Sequence, residues 1–160
     1  MNLQMNISNA DGYSSNSQKI RVITENWVEE NLYCPCCGNT YVRQFENNRP
    51  VADFYCADCR EEYELKSKNG TIANKITDGS YDTMVNRIYS INNPNFLFMH
   101  YDIKDIKVKN LIIVPKHFFV INMIEKRKPL SSTAKRAGWG GCNILIKDIP
   151  EEGKIFLVKN

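Results

Sequence analysis

No apolar run in this 160-residue sequence reaches the roughly 20 residues needed to cross a bilayer. Met1 to Gln18 is rich in Asn, Ser and Gln, and lacks the basic end and apolar stretch of a secretory leader. These absences remove the membrane and secreted classes and predict a soluble, cytoplasmic chain. Histidine is nearly missing: His100 and His117 are the only two, and neither has a spacing that suggests a metal site. His100 is predicted to pack in a strand and His117 to lie at the surface or toward a phosphate.

Charge of one sign is also lacking, since 21 Lys and Arg against 18 Asp and Glu leave a net +3, too mild to prove a nucleic-acid partner. The charge is unevenly spread, with a balance of −3 over residues 1–100 and +6 over 101–160. The C-terminal part is therefore the better DNA face, although Lys104, Lys107 and Lys109 read more simply as solubilising surface charge. A hydrophobic fraction of 42% over this length supports one buried core and one domain.

Cysteine, by contrast, is concentrated. Cys34 and Cys37 are spaced C-x2-C, Cys56 and Cys59 repeat the spacing, and 18 residues separate the pairs. Four thiolates so arranged suit one tetrahedral zinc ion. Pro35, Gly38 and Asn39 supply turn chemistry around the first pair. Cys36 is left over, and only spacing makes Cys34 and Cys37 the ligands. Disulfides or simple buried thiols are the competing reading, disfavoured by the two-pair spacing and because a cytosolic chain keeps its thiols reduced. Cys142 stands apart and reads as a buried free thiol.

A second signal is acidic. Asp53 precedes Cys56 by three residues and Glu64 follows Cys59 by five. The flanking runs, Pro50 to Tyr55 and Glu62 to Ser67, read as strands of a hairpin whose tip is the metal knuckle. Antiparallel pairing places Asp53 near Glu64, and Glu64 and Lys66, two apart, share a face. Two carboxylates and an ammonium on one patch suit Mg²⁺ and the positioning of a water that attacks a phosphodiester.

Elsewhere, residues 1–14 show little periodicity and are expected to be loose. Ser17 is the expected cap of a helix to about Asn31, with Ile20, Ile23, Trp27 and Val28 as its buried stripe. Thr71 to Ser80, polar and containing Gly79, is expected to be loop, with Asp78 or Ser80 capping a helix that carries Met84, Val85, Ile88 and Tyr89 and ends before Pro94. Asn95 to Tyr101 and Val108 to Pro115 are predicted central strands. Phe118, Phe119 and Ile121 are expected anchors, whereas Glu125 to Pro129 lies outside the core. Residues 142–147 and 153–158 are two last strands joined by a turn. The fold class is α/β or α+β with a mixed sheet.

From Lys116 to Arg136 there are six basic residues against the single acid Glu125. Lys126, Arg127, Lys128, Lys135 and Arg136 are candidate phosphate contacts. Trp139, among glycines, either contacts a base or its methyl group in the major groove or folds back over the sheet edge.

The pattern Asp53, ten residues, Glu64-Leu65-Lys66 resembles the nuclease motif PD-(D/E)xK, with Pro50 three residues ahead of Asp53 instead of adjacent. The longer stretches Phe45 to Cys56, Glu64 to Lys68, Arg136 to Trp139 and Gly141 to Asn143 resemble the nuclease domain of the DpnI-like family of methyl-directed restriction endonucleases. The likeness runs from about Ser15 to the end of the chain. It implies a restriction-endonuclease-like mixed sheet flanked by helices, a zinc ribbon inserted at 34–59, and type II cleavage of double-stranded G-A-T-C carrying 6-methyladenine. It further implies that Asp53 and Glu64, with the Leu65 carbonyl, hold Mg²⁺, that Lys66 orients the attacking water, and that a monomer cuts each strand in turn to leave blunt ends. Full-length members carry a further winged-helix domain, so 1–160 is expected to correspond to the nuclease domain, with weaker binding and relaxed specificity in its absence. In some relatives of this fold a helix glutamate leans into the metal site, but for Glu25 a solvated or capping role is the simpler expectation. A zinc-containing DNA-binding module that does not cut, and a nuclease of the same fold acting on junctions or damaged DNA, are the alternatives.

Overall fold

The structure, a computed structural model, describes residues 1–46, 52–71 and 74–159. Its elements are α1 (Asn16–Asn31), β1 (Arg43–Gln44), β2 (Phe54–Tyr55), β3 (Glu62–Asn69), β4 (Lys75–Ser80), α2 (Tyr81–Ile88), β5 (Asn95–Asp102), β6 (Lys107–Val114), β7 (Ile124–Lys126), β8 (Gly141–Leu145) and β9 (Ile155–Lys159), with short 3₁₀ turns between them. Among these residues the strands form a mixed six-stranded sheet, β1-β2-β3-β5-β6-β9, and a three-stranded sheet, β4-β8-β7. No described helix is long and apolar enough to cross a membrane.

β5 is the axis of the molecule. Its Phe-Leu-Phe-Met run is buried on both faces, as a strand parallel to β3 on one side and antiparallel to β6 on the other requires. Leu97 and Met99 face α1, where Ile23, Trp27 and Val28 supply the expected stripe. Phe96 and Phe98 face the other way and meet Ile76, Ile144 and Phe119. Each fully buried side chain of this size stabilises the fold by roughly 1.5–3 kcal/mol relative to exposure. The result is three layers: α1, the main sheet, and the small sheet with α2.

The mixed sheet is as expected, but several local readings change. The first residues are tied down: Gln4 bridges Lys107, Met5 is buried, and Asn2 accepts the Trp27 indole N–H at 2.8 Å. Those bonds are backbone to backbone or to one distant indole, so they leave no periodic trace. Ser15, not Ser17, holds the N-cap position of α1, and it makes no side-chain capping bond. Thr71 to Ser80 is not all loop, because Lys75–Ser80 is a strand in which Ile76, Asp78 and Ser80 alternate inward. Gly79 marks the bulge where that strand's register shifts. Ser80 caps α2, as one of the two expected residues, and Tyr89 lies just past its end, 71% exposed. The last two strands enter different sheets, so the segment between them crosses layers. Pro50, Val51 and the adjoining residues 47–49 lie outside the described residues, as do Ile72 and Ala73 and the final Asn160.

The cysteine knuckles end the β1-β2-β3 edge. Gly38 N–H donates to Cys34 O at 2.8 Å and Arg60 N–H to Cys56 O at 3.0 Å, and both Gly38 and Arg60 have positive φ, so the two turns are built alike. The thiols of Cys34, Cys37, Cys56 and Cys59 lie within 4.8 Å of one another, and Cys34–Cys59 and Cys37–Cys56 are each 3.6 Å apart. Sulfurs about 2.3 Å from a tetrahedral zinc stand about 3.8 Å apart, whereas a disulfide needs about 2 Å. The cluster fits a structural zinc site. Cys36 is exposed and outside it, and Cys142 is a buried free thiol. Metal analysis is expected to find one zinc per chain, retained in Cys36→Ser and lost in Cys37→Ser with a clear fall in Tm. Zinc loss in Cys36→Ser would reverse the ligand assignment.

Candidate active site

β2 pairs only with Glu62 and Tyr63, so among the described residues Glu64, Leu65 and Lys66 lie along a stretch of β3 with no outer strand. The register that pairs Phe54 with Tyr63 brings Asp53 beside Glu64, and Asp53 N–H donates to Tyr63 O at 3.0 Å. Asp53 Oδ2 accepts the Leu65 N–H at 2.7 Å, which anchors the carboxylate on the free edge. Glu64 and Lys66 share the face turned toward the small sheet, as their spacing predicts. Lys66 Nζ lies 2.6 Å from Glu64 Oε1 and 2.7 Å from Asp78 Oδ1. Glu64 Oε2 is ion-paired with Arg87 of α2.

Burial raises the Asp53 carboxyl above its ordinary range, opposed by the Leu65 N–H and by the charges of Lys66, Arg87 and Arg21. The same burial lowers the affinity of Arg87 for its proton, against the pull of Asp53 and Glu62. The patch is thus drier than a surface ion-pair cluster.

Glu25 departs from its expected solvated or capping role. It projects from the inner side of α1, 8% exposed, with Oε2 accepting from Gln44 Nε2 at 2.7 Å and Oε1 3.7 Å from Arg21 Nε. Burial first, and then the charge of Asp53, push its carboxyl up to about 7. A third acid therefore borders Asp53 from the helix side. Asp78, read from sequence as a helix cap, is a fourth, approaching from β4. Arg87 carried no recognisable pattern, though it stands three residues after buried Met84 on α2, a spacing that turns both toward the sheet. Asp78 was hidden for a related reason: in the alternation of β4 it occupies an apolar position with a charge.

The basic segment is displaced from this patch but connected to it. Lys126, Arg127, Lys128, Lys135 and Arg136 are exposed, and Trp139 is half-buried. Arg127 N–H donates to Gly141 O at 2.9 Å and Leu130 N–H to Trp139 O at 2.9 Å, closing the loop at its base. Arg136 lies 4.5 Å over the Trp139 ring, and a Cβ at Gly141 would stand 3.1 Å from that ring. Trp139 thus folds against the end of β8 while keeping an accessible part. Lys126 Nζ lies 5.0 Å over the Tyr81 ring at the start of α2, and buried Cys142 on β8 feels the charges of Asp78, Lys66 and Arg127 together. The root of the loop therefore adjoins the Lys66–Asp78 pair.

The donor chemistry fits a metal at the cysteine cluster. Among the described residues only the four cysteines gather three or more metal-ligating side chains within reach of one ion, and they suit zinc. Asp53 and Glu64 offer hard carboxylate oxygens, and those of Glu64 are faced by Lys66 and Arg87. The family model described as DpnI, Dam-replacing family, matches residues 1–160. The chain belongs to the DpnI, or Dam-replacing, family, a family of restriction endonucleases.

Proposed function

We propose that this chain is the nuclease domain of a methyl-directed type II restriction endonuclease. It acts in the cytoplasm as a monomer on double-stranded G-A-T-C carrying 6-methyladenine, and hydrolyses the phosphodiester with Mg²⁺. The observation that carries the cleavage reading is the convergence of Asp53, Glu64 and Lys66 on one short stretch of β3. Family membership supports methylated DNA as the partner.

In this reading Asp53 and Glu64, with the Leu65 carbonyl, hold the ion, whose chemistry is to neutralise charge that builds on the phosphate and to favour deprotonation of water. Lys66, on the same face as Glu64, orients the attacking water by hydrogen bonding. Arg87 offsets the negative charge of the pocket before substrate arrives. Glu25, raised toward neutrality, adds a carboxyl that can stay protonated beside Asp53 and so limits repulsion. Lys126, Arg127, Lys128, Lys135 and Arg136 neutralise backbone phosphates and set register, while Trp139 contacts the methylated base. One observation favours the second reading, a DNA-binding module that does not cut: both oxygens of Glu64 are already taken by side-chain cations.

Cleavage assays separate the two. With Mg²⁺, the chain is expected to cut adenine-methylated plasmid and spare its unmethylated twin, and Asp53→Ala is expected to lose at least about a thousandfold in rate while binding DNA. Methyl-selective binding without any cutting would establish the reader instead.

The loop is expected to divide its labour. Lys128→Ala should weaken binding to all sequences alike and lower the salt slope by about one. Trp139→Ala should instead reduce the preference for methylated over unmethylated G-A-T-C, measured by competitive titration. An unchanged preference would remove Trp139 from recognition.

Glu25 gives a pH signature. An unfolded glutamate releases its proton near 4.5, whereas the folded chain keeps this one to about 7. Between those values the folded state binds more protons, so stability falls as pH rises. In metal-free buffer Glu25→Gln is expected to flatten that slope and to stabilise the chain at pH 8 by roughly 1–3 kcal/mol, read from urea midpoints.

A further inference from the structure

Lys66 is held between two carboxylates that belong to different sheets: Glu64 Oε1, on its own strand, at 2.6 Å, and Asp78 Oδ1, on β4, at 2.7 Å. Because Arg87 takes the other oxygen of Glu64, a metal ion approaching that carboxylate meets two side-chain cations already on it. Arg87 is the less mobile of the two. Its guanidinium is 12% exposed, is fixed on α2 and also feels Asp53. Lys66 has a second carboxylate, Asp78, already in contact. A lysine without that partner would leave Glu64 only by giving up its counter-ion, and would then stand unpaired beside an incoming dication.

We propose that Asp78 is a positioning residue that takes over Lys66 when a divalent cation claims Glu64, so that the ammonium stays at the site instead of competing for it. The proposal rests on the metal-dependent nuclease reading. It also gives the small sheet a place in the chemistry, since Asp78 lies on β4 and reaches Lys66 on β3. Asp78 acts through Lys66 and touches neither metal nor substrate.

The test is a double-mutant cycle on Mn²⁺ binding to the full chain, by calorimetry without DNA. Asp78→Asn is nearly isosteric, and retained zinc and Tm check its fold; Asp78→Ser serves in the same cycle should the asparagine variant not fold. In the wild-type background, loss of the Asp78 carboxylate is expected to weaken Mn²⁺ binding about tenfold, because Lys66 then clings to Glu64. In a Lys66→Met background the same change is expected to matter by less than about twofold. Equal losses in both backgrounds would overturn the proposal, making Asp78 a direct ligand or a remote charge. Failure of the wild-type chain to bind Mn²⁺ would overturn the metal reading beneath it.

Discussion

Like charges cannot crowd into a half-dry pocket without counter-charges, and this constraint organises the site. Asp53 comes from the bend just before β2, Glu64 from β3, Asp78 from β4, and Glu25 from a helix. Two cations, Lys66 and Arg87, stand among them, and Glu25, buried first of all and then facing the charge of Asp53, keeps its proton up to about 7.

The scaffold keeps that crowding from relaxing. β3 is locked to β5 by a parallel ladder from Tyr63 to Asn69. Asp53 is held by two bonds to β3, one from its backbone N–H and one to its carboxylate. β2 itself is only two residues long, so its placement depends on the cysteine knuckles at its end. Tyr63 links the two: its hydroxyl is 3.0 Å from Cys34 Sγ, and its carbonyl receives the Asp53 N–H. The thiol cluster thus positions the acid patch through backbone, although no cysteine takes part in it.

Much of this was legible in the residues themselves. The C-x2-C repeat named the thiol ligands, and alternation in Glu64-Leu65-Lys66 placed a carboxylate and an ammonium on one face. The continuous apolar character of Asn95 to Tyr101 identified the central strand. What escaped was of a different kind. Asp78 and Arg87 are charges standing where a periodic pattern expects apolar residues, and only the partners across the layer explain them. Glu25 reads as one of several helix glutamates until Gln44 and Asp53 are seen beside it. The small sheet was missed because its strands are short and far apart in sequence, with Gly79 and the polar Thr77 imitating a loop.

β8 is the middle strand of that small sheet, paired with β4 on one side and β7 on the other. It holds the root of the basic loop at Gly141 and, through β4, the carboxylate at Asp78. Cys142 is the shared partner of Asp78 on β4 and of Lys126 on β7, so a single strand separates the root of the basic loop from the carboxylate that meets Lys66.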